Sequence, residues 1–175
     1  MTATSPKPRA TWLLILALIA GASFWFVGQH TIPTLPWIAW KGAGVGLLTI
    51  WAALNARGRD GWLITAVMAF GTLGDVLLER SQIGGALAFL AGHLIAILLY
   101  LGHRRSKKTP SQVALAVLFV ASDLLIFAKI GPLAGSLIPI ILIWPLYFAG
   151  QALIAWGAVI TLLRWKDDED LHHRL

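Results

Sequence analysis

Two carboxylates lie where an apolar chain has little reason to place them. Asp75 sits in AFGTLGDVLLER, residues 69 to 80, about one helical turn before a run of apolar residues stops. Asp123 sits in FVASDLLIF, residues 119 to 127, with no charged neighbour within a turn. A carboxylate inside a membrane helix costs roughly 2.5–3.5 kcal/mol on insertion scales, so such a residue usually has a partner and a task. Two carboxylates close together in a low dielectric tend to divide into one acid and one base, the arrangement that acid–base hydrolysis requires. Lys41, His93, Tyr147 and Gln151 are the further candidates for one shared polar site. Lys41 supplies one positive charge against the two aspartates. Charge balance therefore needs a protonated His93 or an aspartate that keeps its proton.

The elements that must position these groups are membrane helices. The chain has 175 residues, 58% of them hydrophobic and only 13% charged, with a mean hydropathy of +0.76. A soluble domain carries about twice that charged fraction. The apolar residues come in blocks, several approaching the roughly 20 residues that cross a bilayer as a helix. The expected fold is all-α, a polytopic bundle of about six spans occupying residues 11–165, between a short N-terminal tail (1–10) and a charged C-terminal tail (166–175). The spans fall roughly at 11–28, 37–54, 61–78, 84–101 and 112–129, with a last one ending near Leu163. Pro132, Pro139 and Pro145, with Gly131 and Gly135, leave 130–165 open as a loop or re-entrant piece feeding one kinked helix. Lys7 and Arg9 before an apolar run, with small residues at Ala20 to Ala22, have features of a cleaved signal. The length of the run and its aromatics favour a retained span.

Lys7, Arg9, Arg57, Arg59, Arg104, Arg105, Lys107, Lys108, Arg164 and Lys166 fall at one end of the spans, whereas the other end has only Arg80, beside Glu79, and Lys129. Both termini are thus expected in the cytoplasm, in a multi-pass protein of a bacterial cytoplasmic membrane. The same distribution explains the net charge of +6 without nucleic acid, which is not an expected partner. There is no cysteine, which excludes disulfides, iron–sulfur clusters and thiolate chemistry. With this orientation, Lys41, Asp75, Asp123, Tyr147 and Gln151 share the non-cytoplasmic half of the membrane, and His93 lies near its middle. Each also has a plainer reading: Lys41 snorkelling among Trp37 and Trp40, Asp75 with Glu79 and Arg80 as an interfacial helix end, Tyr147 as an interface aromatic, Gln151 as an interhelical hydrogen bond, His93 as a satisfied bundle histidine. Their joint clustering favours a site. Zinc fits poorly, because only His93 of the histidines lies in a span and a catalytic zinc takes about three protein ligands. His172 and His173 belong to the charged tail, and no cofactor is expected.

Gly74-Asp75, then Gly92-His93 on the next helix, then LFVASD leading to Asp123, then YFAGQALIAWG from Tyr147, resemble the YhhN-type, or lysoplasmalogenase, membrane family. Lys41 at the opening of the second helix also matches. The resemblance runs over roughly residues 37–103 and 113–163, and rests on the order of the motifs on successive helices. Gly42 stands where the family's lysine is commonly followed by proline. Ala96 stands where a tyrosine is common, with Tyr100 a turn later. Only RRSKKTPSQ separates the histidine helix from the second aspartate helix, where the family typically has two further spans. Removing a pair of spans preserves the orientation of every later one.

The resemblance implies hydrolysis of the vinyl ether of a lysoplasmalogen, a membrane lysolipid, to a fatty aldehyde and a glycerophospho-amine. Asp75 and Asp123 would serve as acid and cation-stabilising base, with Asp123, the deeper, preferred as proton donor. Lys41 would bind the lipid phosphate, and His93, Tyr147 and Gln151 would orient the acid or the water. The rivals are a lipid-binding bundle, a small proton- or cation-coupled carrier with a broken helix around Pro139–Pro145, and a shortened family member that folds without catalysing.

Overall fold

The computed structural model describes residues 7–27, 34–102, 131–172 and a few positions between 121 and 129. Most of the expected fifth span, Asp123 included, lies outside the described residues, as does His173. Among the described residues the chain is entirely helical, as expected: α1 (Thr11–Val27), α2 (Leu35–Asn55), α3 (Gly58–Leu78), α4 (Gln82–Gly102) and α5 (Leu137–His172). Four stretches are long and apolar enough to cross a membrane: Leu35–Asn55, Gly58–Leu78, Gln82–Leu99 and Leu137–Leu163, the last with 27 residues. α1, with 17 residues, is apolar but shorter. The protein is an integral-membrane helical bundle.

Helices α1 to α4 pack as successive neighbours, and α5 returns against α1, α2 and α3. The turn between α2 and α3 is tight because Gly58 adopts a φ of +61°, in the left-handed region that glycine enters without penalty. Thr34 caps α2 by accepting from the Trp37 amide, and the Ser81 hydroxyl accepts the Gly84 amide in the first turn of α4. At the end of the bundle that holds the Arg57 turn, Asn55 binds the chain just before α1. Its Oδ1 accepts from the Arg9 amide at 2.7 Å, and its Nδ2 donates to the Arg9 and Trp51 carbonyls. Arg9 and Arg57 thus share one end, as the charge distribution requires.

Close contact between these helices depends on small residues, since lipid supplies no hydrophobic drive for one apolar helix to seek another. The Phe148 ring of α5 fills a notch made by Gly21 of α1 and Gly44 of α2. A Cβ on Gly21 would fall 2.3 Å from that ring, and one on Gly44 2.9 Å from it. Below this notch Val45, Leu48, Trp51, Met68 and Ala155 are fully buried.

The proline-rich piece is neither re-entrant nor broken. After a turn over 131–135, α5 runs continuously from Leu137, through Pro145, to His172. Pro139 occupies the first turn, where an amide would have no helical partner anyway. Pro145 is interior and cannot donate to the Ile141 carbonyl four residues back. The indole Nε1 of Trp25, from α1, donates to that carbonyl at 3.2 Å, a neighbouring helix satisfying the group that proline frees. The Trp144 indole donates in return to the Gly21 carbonyl at 2.9 Å. The broken helix that would favour a carrier is therefore absent from this part of the chain.

Candidate functional site

α3 and α5 run antiparallel, and their contact faces meet at two levels one turn apart. At the first, the Tyr147 hydroxyl donates to Asp75 Oδ2 at 3.0 Å. At the second, Gln151 stands against Gly71, whose absent side chain makes room for it. A Cβ there would lie 3.2 Å from Gln151 Nε2 and 3.3 Å from the Tyr147 hydroxyl oxygen. Asp75, Tyr147 and Gln151 are all buried, at 3%, 5% and 1% exposure. The pairing follows from helical arithmetic: 71 and 75 on α3, and 147 and 151 on α5, are each four apart and share a face. The interface reading of Tyr147 is thereby set aside, because its ring is inside and its hydroxyl engages a carboxylate.

The Gln151 Oε1 is buried and has no hydrogen-bond partner among the described residues. A buried acceptor without a partner costs about 1–3 kcal/mol, and the cost disappears when a water or a ligand group donates to it. Gly71, Asp75, Tyr147 and Gln151 thus form a buried polar contact between α3 and α5.

A third level lies one turn further along α3. Glu79 forms an ion pair with Lys41 of α2, with the two side chains 18% and 14% exposed. Lys41 also sits over the Trp37 ring, 5.8 Å from its centroid. Asp75 is one helical turn from Glu79, on the same face of α3. The charge balance drawn from the sequence sets Lys41 against the aspartates and reads Glu79 with Arg80 as an interfacial helix end; the ion pair adds Glu79 to that balance. The spacing of four between Asp75 and Glu79 is the available signal, since it places both acids on one face.

α4 closes the side of the site. The Phe89 ring packs where a Cβ on Gly74 would stand, 2.7 Å from it, and meets the Tyr147 ring edge-on at 5.8 Å. His93 is one turn beyond Phe89, and its Nδ1 lies 2.7 Å from the Phe89 carbonyl oxygen. A carbonyl can only accept, so Nδ1 carries the proton there. The antiparallel contacts of Phe89 with Gly74 and of Gly92 with Phe70 put His93 at the level of Phe70. That is five residues, or about 7.5 Å along the axis, deeper than Asp75. The structure thus gathers Asp75, Tyr147 and Gln151 in one cluster, seats Lys41 at its rim, and places His93 on the adjoining helix at greater depth.

A bundle of membrane-crossing helices around a buried carboxylate, with an ion pair at its rim, defines a polytopic membrane protein with a polar intramembrane site. The model of the YhhN family matches residues 37–137, more than half of the chain, and the protein belongs to that family. The match takes in Lys41, Asp75, Glu79 and His93 and ends before Tyr147 and Gln151, which are joined to the site by geometry. No curated protein and no solved structure matches the chain.

Proposed function

We propose that the protein is a membrane-embedded hydrolase that cleaves the vinyl ether of lysoplasmalogen-type lysolipids by carboxylate acid–base catalysis. Membership of the YhhN family supports a lysoplasmalogenase-like protein. The observation that carries the reading is Asp75, buried in the bundle and held by Tyr147, with Gln151 buried one turn along α5 from Tyr147.

In the reaction a proton is added to the distal carbon of the vinyl ether double bond, which leaves an oxocarbenium ion. Water adds to the carbon bearing the ether oxygen and loses a proton to a base. The resulting hemiacetal collapses to a fatty aldehyde and the glycerol hydroxyl of a glycerophospho-amine. Asp123 is assigned as proton donor, and Asp75 as the carboxylate that stabilises the cation and takes the proton of water. Tyr147 is a positioning residue: its bond to Oδ2 fixes the carboxylate and leaves Oδ1 for the reacting groups. The Gln151 carbonyl is assigned to orient the attacking water. Lys41 binds the phosphate, and His93 belongs to the deeper wall. The alkenyl chain lies among apolar helix faces, and the site's depth screens the cation from bulk water.

The test is reconstitution of the full chain with a lysoplasmalogen and, separately, with an acyl lysolipid that lacks the vinyl ether. Aldehyde release from the first alone, abolished by Asp75→Asn and by Asp123→Asn, is the expected result. Binding of both lipids without any aldehyde would replace the hydrolase with a lipid-binding bundle.

A further inference from the structure

The ion pair at the rim has no evident structural purpose. Exposed pairs contribute about 0–1 kcal/mol, and burial takes back much of the Coulombic gain through desolvation. As a receptor, however, the Lys41–Glu79 pair is well formed. It offers one cation and one anion side by side, half-buried, at the end of the bundle opposite the Arg57 turn. Glu79 is four residues from Asp75, on the same face of α3.

A guest that draws Lys41 away with a phosphate leaves Glu79 facing Asp75 with no buried counter-charge among the described residues, unless the guest also brings a cation. Arg80, the next residue, and Lys129, the other cation expected at this end, are exposed, and their charges are screened by water. A zwitterionic headgroup meets both needs: its phosphate replaces Glu79 on Lys41, and its ammonium replaces Lys41 on Glu79. The net charge of the rim stays the same and no charge is stranded. An anionic headgroup, such as phosphoglycerol, strands Glu79.

We propose that Glu79 is the headgroup-selecting residue of this site, exchanging Lys41 for the ammonium of a zwitterionic lysolipid while Lys41 takes the phosphate. This rests on the lysolipid reading, but it concerns binding and not cleavage. The experiment is equilibrium titration of the full chain in a non-ionic detergent. The probes are acyl lysophosphatidylethanolamine and acyl lysophosphatidylglycerol of matched chain length, neither carrying a vinyl ether, with chain-free glycerophosphoethanolamine as a third arm.

The wild type is expected to prefer the ethanolamine lipid by at least about tenfold, equivalent to 1.4 kcal/mol. Glu79→Gln should reduce that preference to about twofold or less, and Glu79→Asp, which keeps the charge, should retain most of it. Lys41→Gln should weaken both lipids. The chain-free headgroup should compete only weakly, because it lacks the apolar part. Equal wild-type affinity for the two lipids would overturn the proposal, as would a preference that survives Glu79→Gln. If Glu79→Gln does not fold, loss of preference in Glu79→Asp would also overturn it. Selective binding of these probes, with no aldehyde released from a lysoplasmalogen in the reconstituted system, would sink the hydrolase reading alone; aldehyde release from the lysoplasmalogen with equal binding of the two probes would sink this one alone.

Discussion

The two halves of the bundle are held together in different ways. Around Phe148, helices α1, α2 and α5 fit by shape: a ring enters a notch of two glycines, above buried Val45, Leu48 and Trp51. Around Asp75, helices α2, α3 and α5 meet through a carboxylate, a phenol, an amide and an ion pair; each half also holds one buried polar atom, Trp51 Nε1 and Gln151 Oε1, without a hydrogen-bond partner among the described residues. In a bilayer the first kind of contact is inexpensive and the second is not. The contrast teaches that the polar half is not what holds the bundle together, so its residues should govern activity while the apolar half governs stability.

The largest expected effect falls on the polar side. Asp75→Asn should reduce aldehyde release by about 10²–10⁴-fold, the range of acid–base catalysis, while the melting temperature of the purified protein changes little. A melting temperature that collapses along with activity would erase the division of labour. The reverse is expected at Gly21→Val, where added carbons meet the Phe148 ring. Overpacking of this kind costs about 1–3 kcal/mol, read by thermal or denaturant unfolding in detergent, with activity per folded molecule preserved. Tyr147→Phe sharpens the polar side: it keeps the ring against Phe89 and removes only the bond to Asp75. A fall in rate of about tenfold, equal to 1.4 kcal/mol on the barrier, is expected, with lipid affinity unchanged. The smallest effect belongs to Thr49→Val. The Thr49 and Thr72 hydroxyls lie 3.1 Å apart between α2 and α3, and hydrogen bonds between membrane helices average about 0.6 kcal/mol. A loss of more than 2 kcal/mol there would show that polar contacts do hold this bundle.

The extent of α2, α3 and α4 is legible from apolar block length, and the depth of Asp75 from its three-residue distance to the end of α3 at Leu78. The company of Asp75 is legible only in part. Tyr147 and Gln151 stand out as candidates but have equally good interface and interhelical readings, because composition does not say which face of α5 turns inward. Glu79 misleads for a similar reason: next to Arg80, it reads as an interfacial helix end until α2 brings Lys41 to it. The run around Pro139 and Pro145 reads as a loop or kink because proline frees a carbonyl. The Trp25 indole that satisfies it lies 116 residues away in sequence, beyond any local pattern.

By itself the sequence determined the solvent and the element type: blocks this apolar can satisfy their backbone in a bilayer only as helices, and the basic residues assign their ends. It also identified Asp75 as a group that needs a partner, since an intramembrane carboxylate is costly wherever the helix turns. Tertiary structure decided which partner. Helix rotation and register, set by Phe148 in its glycine notch and Phe89 against Gly74, brought the Tyr147 hydroxyl to Asp75, Lys41 to Glu79, and Gln151 against Gly71. Those are distances between residues far apart in the chain, and packing alone settles them.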